Sequence, residues 1–580
     1  MTLLASRPEA ETPRPGRFSL EQKQAAAGCL LLLLSWLTTE HFLPWVSWHS
    51  EALTFAGLVA IALAGALAGR ARVLPIPVFV LVALVLPAVA ALQWLAGSLT
   101  YGGDVVVLAF YGLLMAMALS LGALAARPGS DRDRTVLPDA LAWTFVVGSA
   151  LSVVISLLQV FELGMTSAWV ARMVELRRPG ANFLQPNQLA TLHAWALAAL
   201  GYLYQRGRLS GRLAAILAAY AAFGIAVTES RTGLLATILL ALWWNALRPR
   251  LAPQAPRAAA WLLVVGLLLV LLLWPRLLNV AIVLPEEAAV RVDGEGLLRI
   301  TLWREMLAAS FAHPWLGWGV LEVPEAHNSV VHLATVSNPL TYSHNLVLDL
   351  AVWAGWPLAA LATIVTGAWL LRRLREAGSP ADWFTLAVVL ALGLHSMLEY
   401  PFAYAYFLVP CLLLVGWMEG ARARPARAVL VPRRVLAAGV AAWAAVLLWS
   451  AIEYLRIEED FRVVRFQALR MGTPPAGHEM PEAILFTQLG ELLSGSRITL
   501  RPGMPEAELA ALRRLALRHP WVVTQYRYLA ALALNGQIAE AERQIAVLRA
   551  QRGKKTYEGT KHALLEMAKT YPQLRQVHLP

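Results

Sequence analysis

Apolar runs of membrane-crossing length recur along the chain, separated by short polar breaks instead of the mixed faces of soluble helices and strands. Runs able to cross about 30 Å of hydrocarbon stand near 24–39, 53–69, 73–92, 105–125, 138–159, 188–205, 213–227, 231–247, 258–275, 345–371, 382–398, 402–420 and 435–451. Each predicts one spanning helix, so the expected fold is an all-α, polytopic integral membrane protein of about 13 spans. No small-residue cleavage site follows Leu37, so the first run reads as an anchor and not as a removable signal.

The breaks set the orientation. Arg70 and Arg72 follow the second run, Arg206, Arg208 and Arg212 the sixth, and Arg372, Arg373 and Arg375 the tenth. The intervening breaks at 40–52, 93–104 and 399–401 hold no Lys or Arg. By the positive-inside rule the N-terminus is cytoplasmic. Thirteen spans then put everything from about 452 onward outside. The expected organisation is a cytoplasmic tail, 1–23, a membrane core, 24–451, and an outer helical domain, 452–580. Within the core, 160–187 and 276–344 are outer segments too long to be simple connectors. The stretch from Trp521 to Arg552 predicts two helices broken at Asn535-Gly536, resembling a TPR-like hairpin.

Composition agrees. The 580 residues are 58% apolar and 15% charged, with mean hydropathy +0.56. Soluble domains average about 45–50% and about 25%, so ordinary globular, disordered, coiled-coil and collagenous chains are excluded. The net charge of +12 comes from arginines in the breaks. No basic–aromatic groove accompanies them, which speaks for orientation and against nucleic acid as a partner. Cys29 and Cys411 both lie in apolar runs and supply neither a disulfide nor a metal centre. No metal-ligand spacing occurs elsewhere, and no cofactor is expected.

Several outer segments carry more chemistry than connection requires. Arg177-Arg178-Pro179-Gly180 leads into Gln185-Pro186-Asn187-Gln188. Outer-face arginines run against the orientation bias, and a guanidinium grips phosphate through paired N–H groups. Gln185, Asn187 and Gln188 add amide donors suited to a sugar, although a plain helix cap fits the same spacing. Thr228-Glu229-Ser230-Arg231 is a tight outer turn whose Arg231 suits phosphate or a local pair. Arg299 and Trp303 fall on one helical face. Ser343-His344-Asn345 immediately precedes an apolar helix, and His344 is the best acid–base candidate. His193, His327, His332 and His395 are its rivals. Glu399-Tyr400, in a segment running from His395 to Tyr406, is an acid at the interface with no local Lys or Arg. Arginines beside one histidine, without a metal, suit transfer from a lipid pyrophosphate to a hydroxyl. A carrier is the rival class, though no inverted repeat or Gly/Pro-interrupted helix pair stands out.

In order and spacing these motifs resemble the bacterial pilin/protein O-oligosaccharyltransferases, within the superfamily of O-antigen ligases and polymerases. The resemblance rests on Arg178-Pro-Gly-Ala-Asn182-Phe-Leu-Gln185-Pro-Asn187-Gln188, Glu229-Ser-Arg231, Arg299-x3-Trp303, Ser343-His344-Asn345-Leu346 and His395-x3-Glu399-Tyr400-Pro-x2-Tyr404-x-Tyr406. Pro44-x3-Trp48-x2-Glu51 and Gln93-Trp94 with Asp104 extend it toward the N-terminus. It implies a bacterial inner-membrane enzyme that moves a preassembled glycan en bloc from undecaprenyl pyrophosphate to a hydroxyl on a pilin-like or other periplasmic protein, needing neither metal nor nucleotide. It implies that His344 is essential, that Arg231 and Arg299, with Arg178, grip the pyrophosphate, and that Glu399 and Tyr400 belong to the catalytic group. Gln185 or Gln188, with Asn187 and Asn345, would then meet glycan or acceptor. The chain departs from the pattern at Ala354, where relatives carry an acid, and Asp349 lies on another face of that helix. Lipid A-core ligation and polymerisation are the neighbouring alternatives.

Overall fold

A computed structural model describes residues 20–68, 71–126, 135–164, 167–172, 178–251, 257–281, 295–331, 337–422, 427–468, 471 and 477–579. Arg177, His332 and the tail before residue 20 lie outside the described residues.

Helices follow the apolar runs. In chain order they are α1 Leu20–Leu37, α2 Trp48–Ala68, α3 Val85–Leu95, α4 Gly102–Ala125, α5 Val136–Val160, α6 Pro186–Gln205, α7 Gly211–Val227 and α8 Arg231–Leu251. They continue with α9 Ala258–Ala281, α10 Glu295–Ala312, α11 Val323–Val330, α12 Leu346–Glu376, α13 Pro380–Ser396, α14 Ala405–Gly420 and α15 Arg433–Ala468. The C-terminal helices are α16 Thr487–Arg497, α17 Glu506–Arg518, α18 Val522–Leu534 and α19 Ile538–Thr570. Among the described residues six helical stretches are long and apolar enough to cross a membrane, at Val78–Leu95, α4, α5, Ala258–Leu278, α12 and Arg433–Gln467. Six shorter apolar helices of 10–17 residues stand with them. The molecule is a multi-pass, predominantly helical membrane protein.

Two borders differ from the sequence expectation. The run expected to span from residue 73 begins as strand β1, Val73–Pro77, which pairs antiparallel with β2, Ala428–Pro432. Pro75 and Pro77 resist a helix, whereas each strand can satisfy its partner's backbone. Apolarity concealed that switch. The last apolar run was expected to end near 451, but α15 continues to Ala468 as its sequence turns polar. Tyr454, Ile457 and Phe461 on this extension pack with Phe486 and Leu493, joining the helix to α16.

The main core surrounds α6, where Trp195 and Tyr202 are fully buried against Phe145, Phe384 and Phe407. Beside it α4 and α14 touch backbone to backbone. A Cβ on Gly416 would lie 2.2 Å from the carbonyl oxygen of Leu119, and one on Gly122 2.1 Å from that of Leu413. Close approach at small residues supplies the packing that the hydrophobic effect cannot supply within lipid.

α12 breaks at Gly355, whose φ of 81° and ψ of 164° leave the helical region. The chain before α11 fills the break: Trp318 N donates to Val352 O at 2.7 Å, and Trp356 N to Pro314 O at 2.8 Å. A break in an apolar helix is tolerated when such bonds satisfy the freed groups. The sequence reading drew no Gly/Pro-interrupted pair, and here one interrupted helix anchors the long segment between α9 and α12. In the C-terminal region α18 and α19 pack as a pair of helices joined by a turn at Asn535–Gln537, where the sequence predicts the break.

Gly416→Leu should overpack this contact at a cost of about 1–3 kcal/mol or more and lower the Tm of detergent-solubilised protein. Gly266→Leu, where nothing lies within 4 Å, should leave it unchanged. Equal Tm values for the two variants would contradict the packing account.

Candidate active site

Glu399 sits in the turn between α13 and α14, 6% exposed. Gln185 Nε2 donates to its Oε2 at 2.7 Å, and Asn187 Nδ2 to its Oε1 at 2.5 Å. Arg299 Nη2 forms an ion pair with Oε1 at 2.6 Å, and His395 Nε2 lies 3.5 Å from Oε2. The acid without a local cation therefore has one from 100 residues away in sequence, which proximity along the chain could not reveal. Burial alone would raise the Glu399 pKa. The hydrogen bond and charge of His395, with Arg299 and His344 beyond, outweigh burial and pull it down to about 2. Glu399 is thus a fixed anion at neutral pH, suited to orienting its donors and unsuited to taking a proton.

Each donor is held in turn. Gln185 is the N-cap of α6, its Oε1 accepting from Gln188 N at 2.8 Å. Asn187 Oδ1 accepts from Ser230 Oγ at 2.6 Å, coupling the start of α6 to the start of α8. Gln188, expected as an alternative to Gln185, points elsewhere: its Oε1 accepts from Tyr406 Oη at 2.8 Å. That settles which glutamine faces the acid.

The network floors a cleft of about 480 Å³ whose walls include Arg178, Gln185, Asn187, Arg299, His344 and Glu399. The Arg178 guanidinium is steadied by Nε donating to Thr228 O at 3.2 Å. Arg299 spends one of the five donors a guanidinium carries on Glu399. Arg231 is exposed as the first residue of α8, next to Ser230 but not among the residues lining the cleft.

His344 is held by its neighbours. Ser343 N donates to Asp349 Oδ1 at 2.7 Å, and Ser343 Oγ to Asn345 O at 2.9 Å. Asn345 caps α12 and donates through Nδ2 to Met397 O at 3.2 Å, so its place is beneath the histidine rather than in the cleft. His344 itself has φ 59°, a left-handed conformation costly for any residue but glycine. Ala181 and Leu184, in the loop that carries Gln185, share that conformation at 45° and 56°. Strain of this kind gathers at functional sites, where surrounding bonds over-determine the backbone. The His344 ring meets Tyr400 edge-on, centroids 5.0 Å apart, and Tyr400 stacks on Tyr342 at 4.8 Å. Nδ1 of His344 is buried with no hydrogen-bond partner. Burial pushes its pKa below the usual histidine value; Glu399 opposes the fall, and Arg299 and His395 add to it. The ring is neutral at pH 7 and able to accept a proton. Of the rival histidines that the structure describes, His193 bonds Ser149 at 2.7 Å and His327 bonds Glu305 at 3.0 Å, while His395 bonds Thr191 at 2.7 Å through Nδ1 and turns Nε2 toward Glu399.

Comparison with known proteins follows this map. Residues 179–204, the Gln185–Asn187 loop and most of α6, match the model for "Protein glycosylation ligase". Residues 213–363, carrying Arg231, Arg299 and His344, match "O-Antigen ligase". Residues 383–563, from Glu399 into the C-terminal helices, match "Virulence factor membrane-bound polymerase, C-terminal". Together these matches make the chain similar to O-antigen-ligase-type membrane proteins. A general O-oligosaccharyltransferase of Acinetobacter baylyi is 27% identical over 535 residues, 90% of each chain. A ComP-specific O-oligosaccharyltransferase of the same organism is 28% identical over 282 residues, 48% of this chain and 50% of that one. Within that class, the chain is similar over most of its length to the first of these O-oligosaccharyltransferases, and the resemblance supports the bacterial protein O-oligosaccharyltransferase family.

Sequence reasoning missed Ser230 and Asp349 as parts of the site. Ser230 was visible only as the middle of Glu229-Ser230-Arg231, and Asp349 only as a charge on the wrong helical face. Asp349→Ala should leave the buried Ser343 N–H without an acceptor, costing about 1–3 kcal/mol in thermal unfolding. Asp349→Asn retains an acceptor oxygen and should lose clearly less. Equal losses would contradict this role.

Proposed function

We propose that the protein transfers a preassembled glycan en bloc from undecaprenyl pyrophosphate to Ser or Thr hydroxyls of pilin-like or other periplasmic proteins, at the outer face of the bacterial inner membrane. The observation that carries the reading is the His344 imidazole, its buried Nδ1 without a hydrogen-bond partner, sharing one cleft with Arg178 and Arg299. The names of both Acinetobacter relatives support an O-linked protein acceptor.

In this reaction the acceptor hydroxyl gives its proton to the His344 imidazole, and its oxygen attacks the anomeric carbon of the lipid-linked sugar. The bond from that carbon to the pyrophosphate oxygen breaks, and the electron pair leaves with undecaprenyl pyrophosphate. Arg178 and Arg299 neutralise the departing charge within the cleft, while Arg231 at the exposed start of α8 draws the donor toward it. Glu399 holds Arg299, Gln185 and Asn187 in place; the two amides present polar edges to the sugar. Tyr400 fixes the plane of the His344 ring. The outer orientation of residues 276–344 and of the domain from 452 belongs to the same proposal. The match to an O-antigen ligase over 213–363 favours lipid A-core as the second acceptor to test.

Co-expression with a lipid-linked glycan pathway and a pilin-type acceptor should add one whole-glycan mass to the acceptor, read by intact-protein mass spectrometry. His344→Ala should abolish that mass while the protein remains folded and inserted. Undiminished transfer by this variant would overturn the mechanism, and glycan appearing only on lipid A-core would replace the acceptor. The lowered His344 pKa also fixes the sign of the pH dependence. Activity should be full at neutral pH and fall only as the ring protonates, below about pH 6.5.

A further inference from the structure

The charge of the C-terminal region is unevenly placed. Residues 452–548 hold eleven Lys or Arg and eleven Asp or Glu, whereas residues 549–575 hold seven against two. The whole excess lies on α19 from Arg549 onward and just beyond it. Arg549, Lys554 and Lys555 are exposed, and Lys561 is half-buried. Among the described residues no carboxylate pairs with any of these four. Arg549 and Lys561 instead flank the buried Tyr557 ring, 5.2 and 6.0 Å from its centroid. α19 breaks at Gly553, φ 71°, so the cations gather around a corner.

That corner is tied to the cleft. Ala550 O accepts from Ser337 N at 2.9 Å, and Asn338, Pro339 and Leu340, the next three residues, form part of the cleft wall. Gln551 Nε2 reaches His327 Nδ1 at 3.4 Å, while Gln544 and Asn328 exchange side-chain contacts at 3.3 Å. The cationic corner and the cleft wall are thus joined through one backbone bond and a buried polar seam.

We propose that this corner, Arg549, Lys554, Lys555 and Lys561, is a docking surface for an acidic segment of the protein acceptor, holding the chain so that its hydroxyl-bearing stretch enters the neighbouring cleft. It rests on the proposed protein-acceptor reaction for its purpose, but its binding can be measured without that reaction. Lys561 backs the group with its Nζ donating to Leu579 O at 3.2 Å, and the exposed Arg549, Lys554 and Lys555, without a carboxylate partner, attract an oppositely charged partner through long-range, salt-screened forces. A surface outside the cleft also lets acceptor choice be set apart from the chemistry.

The test uses the full-length protein in nanodiscs and a fluorescein-labelled peptide of alternating Glu and Ser, with a Gln–Ser peptide as control. The wild type should bind the acidic peptide more tightly than the control, with an affinity that falls steeply as salt rises. The paired substitution Lys554→Glu with Lys555→Glu should weaken binding about tenfold. Equal binding by wild type and variant would overturn the proposal. So would an unresponsive peptide together with phosphatidylglycerol shielding both lysines from an amine-reactive reagent, which would assign the corner to lipid. Peptide binding without any glycan transfer would leave the surface standing and remove the reaction. Transfer that the paired substitution leaves unchanged would do the reverse.

Discussion

A carboxylate buried in a protein must be ringed by donors or lose its charge, and Glu399 meets that demand with side chains from two distant parts of the chain and one from the preceding helical turn. Gln185 and Asn187 come from the start of α6, Arg299 from α10 and His395 from the end of α13. None of these elements needs the others to form its own helix. The anion makes their ends converge, and the cleft is the space left above the point of convergence. An acid so strongly stabilised in its ionised form is a poor base, so in the proposed reaction the roles divide: Glu399 arranges and His344 takes the proton.

The histidine reaches the cleft by a different device. α12 begins at the Asn345 cap, and its break at Gly355 receives backbone bonds from the segment before α11. One helix therefore carries His344 at its mouth and clamps the long preceding segment ten residues further in. That segment supplies Leu340 to the cleft wall and Ser337 to the C-terminal helices. The cleft wall and the C-terminal helices thus share the backbone bond from Ser337 N to Ala550 O.

Much of this was legible in the sequence, for a physical reason. Membrane-spanning helices advertise themselves by uninterrupted apolarity, so the helical character and most borders of the core could be read directly. The strand at Val73–Pro77 could not, because an apolar strand and an apolar helix bear the same residues until their pairing partner is known. Arg178, Arg299, Gln185, Asn187, His344 and Glu399 were visible as polar groups in costly places, and the structure brings all six to one cleft. Arg231 and Gln188 carried the same sequence signal yet stand aside from it, one exposed at a helix start and the other turned toward Tyr406. Asp349 and Ser230 gave no signal of their own, since their work is to accept or donate a single bond to a neighbour that only folding supplies.

The central claim is that Glu399 and Arg299 act as one unit in building the cleft. A double-mutant cycle measured by thermal unfolding of the detergent-solubilised protein tests it most directly, comparing Glu399→Ala, Arg299→Ala and the pair. Each single substitution should destabilise the protein. The double variant should be less damaged than their sum, with a coupling in the range of about 0.5–3 kcal/mol expected for groups in contact. Strictly additive losses would mean that the two residues are independent, and the account of the site built on their bond would be wrong.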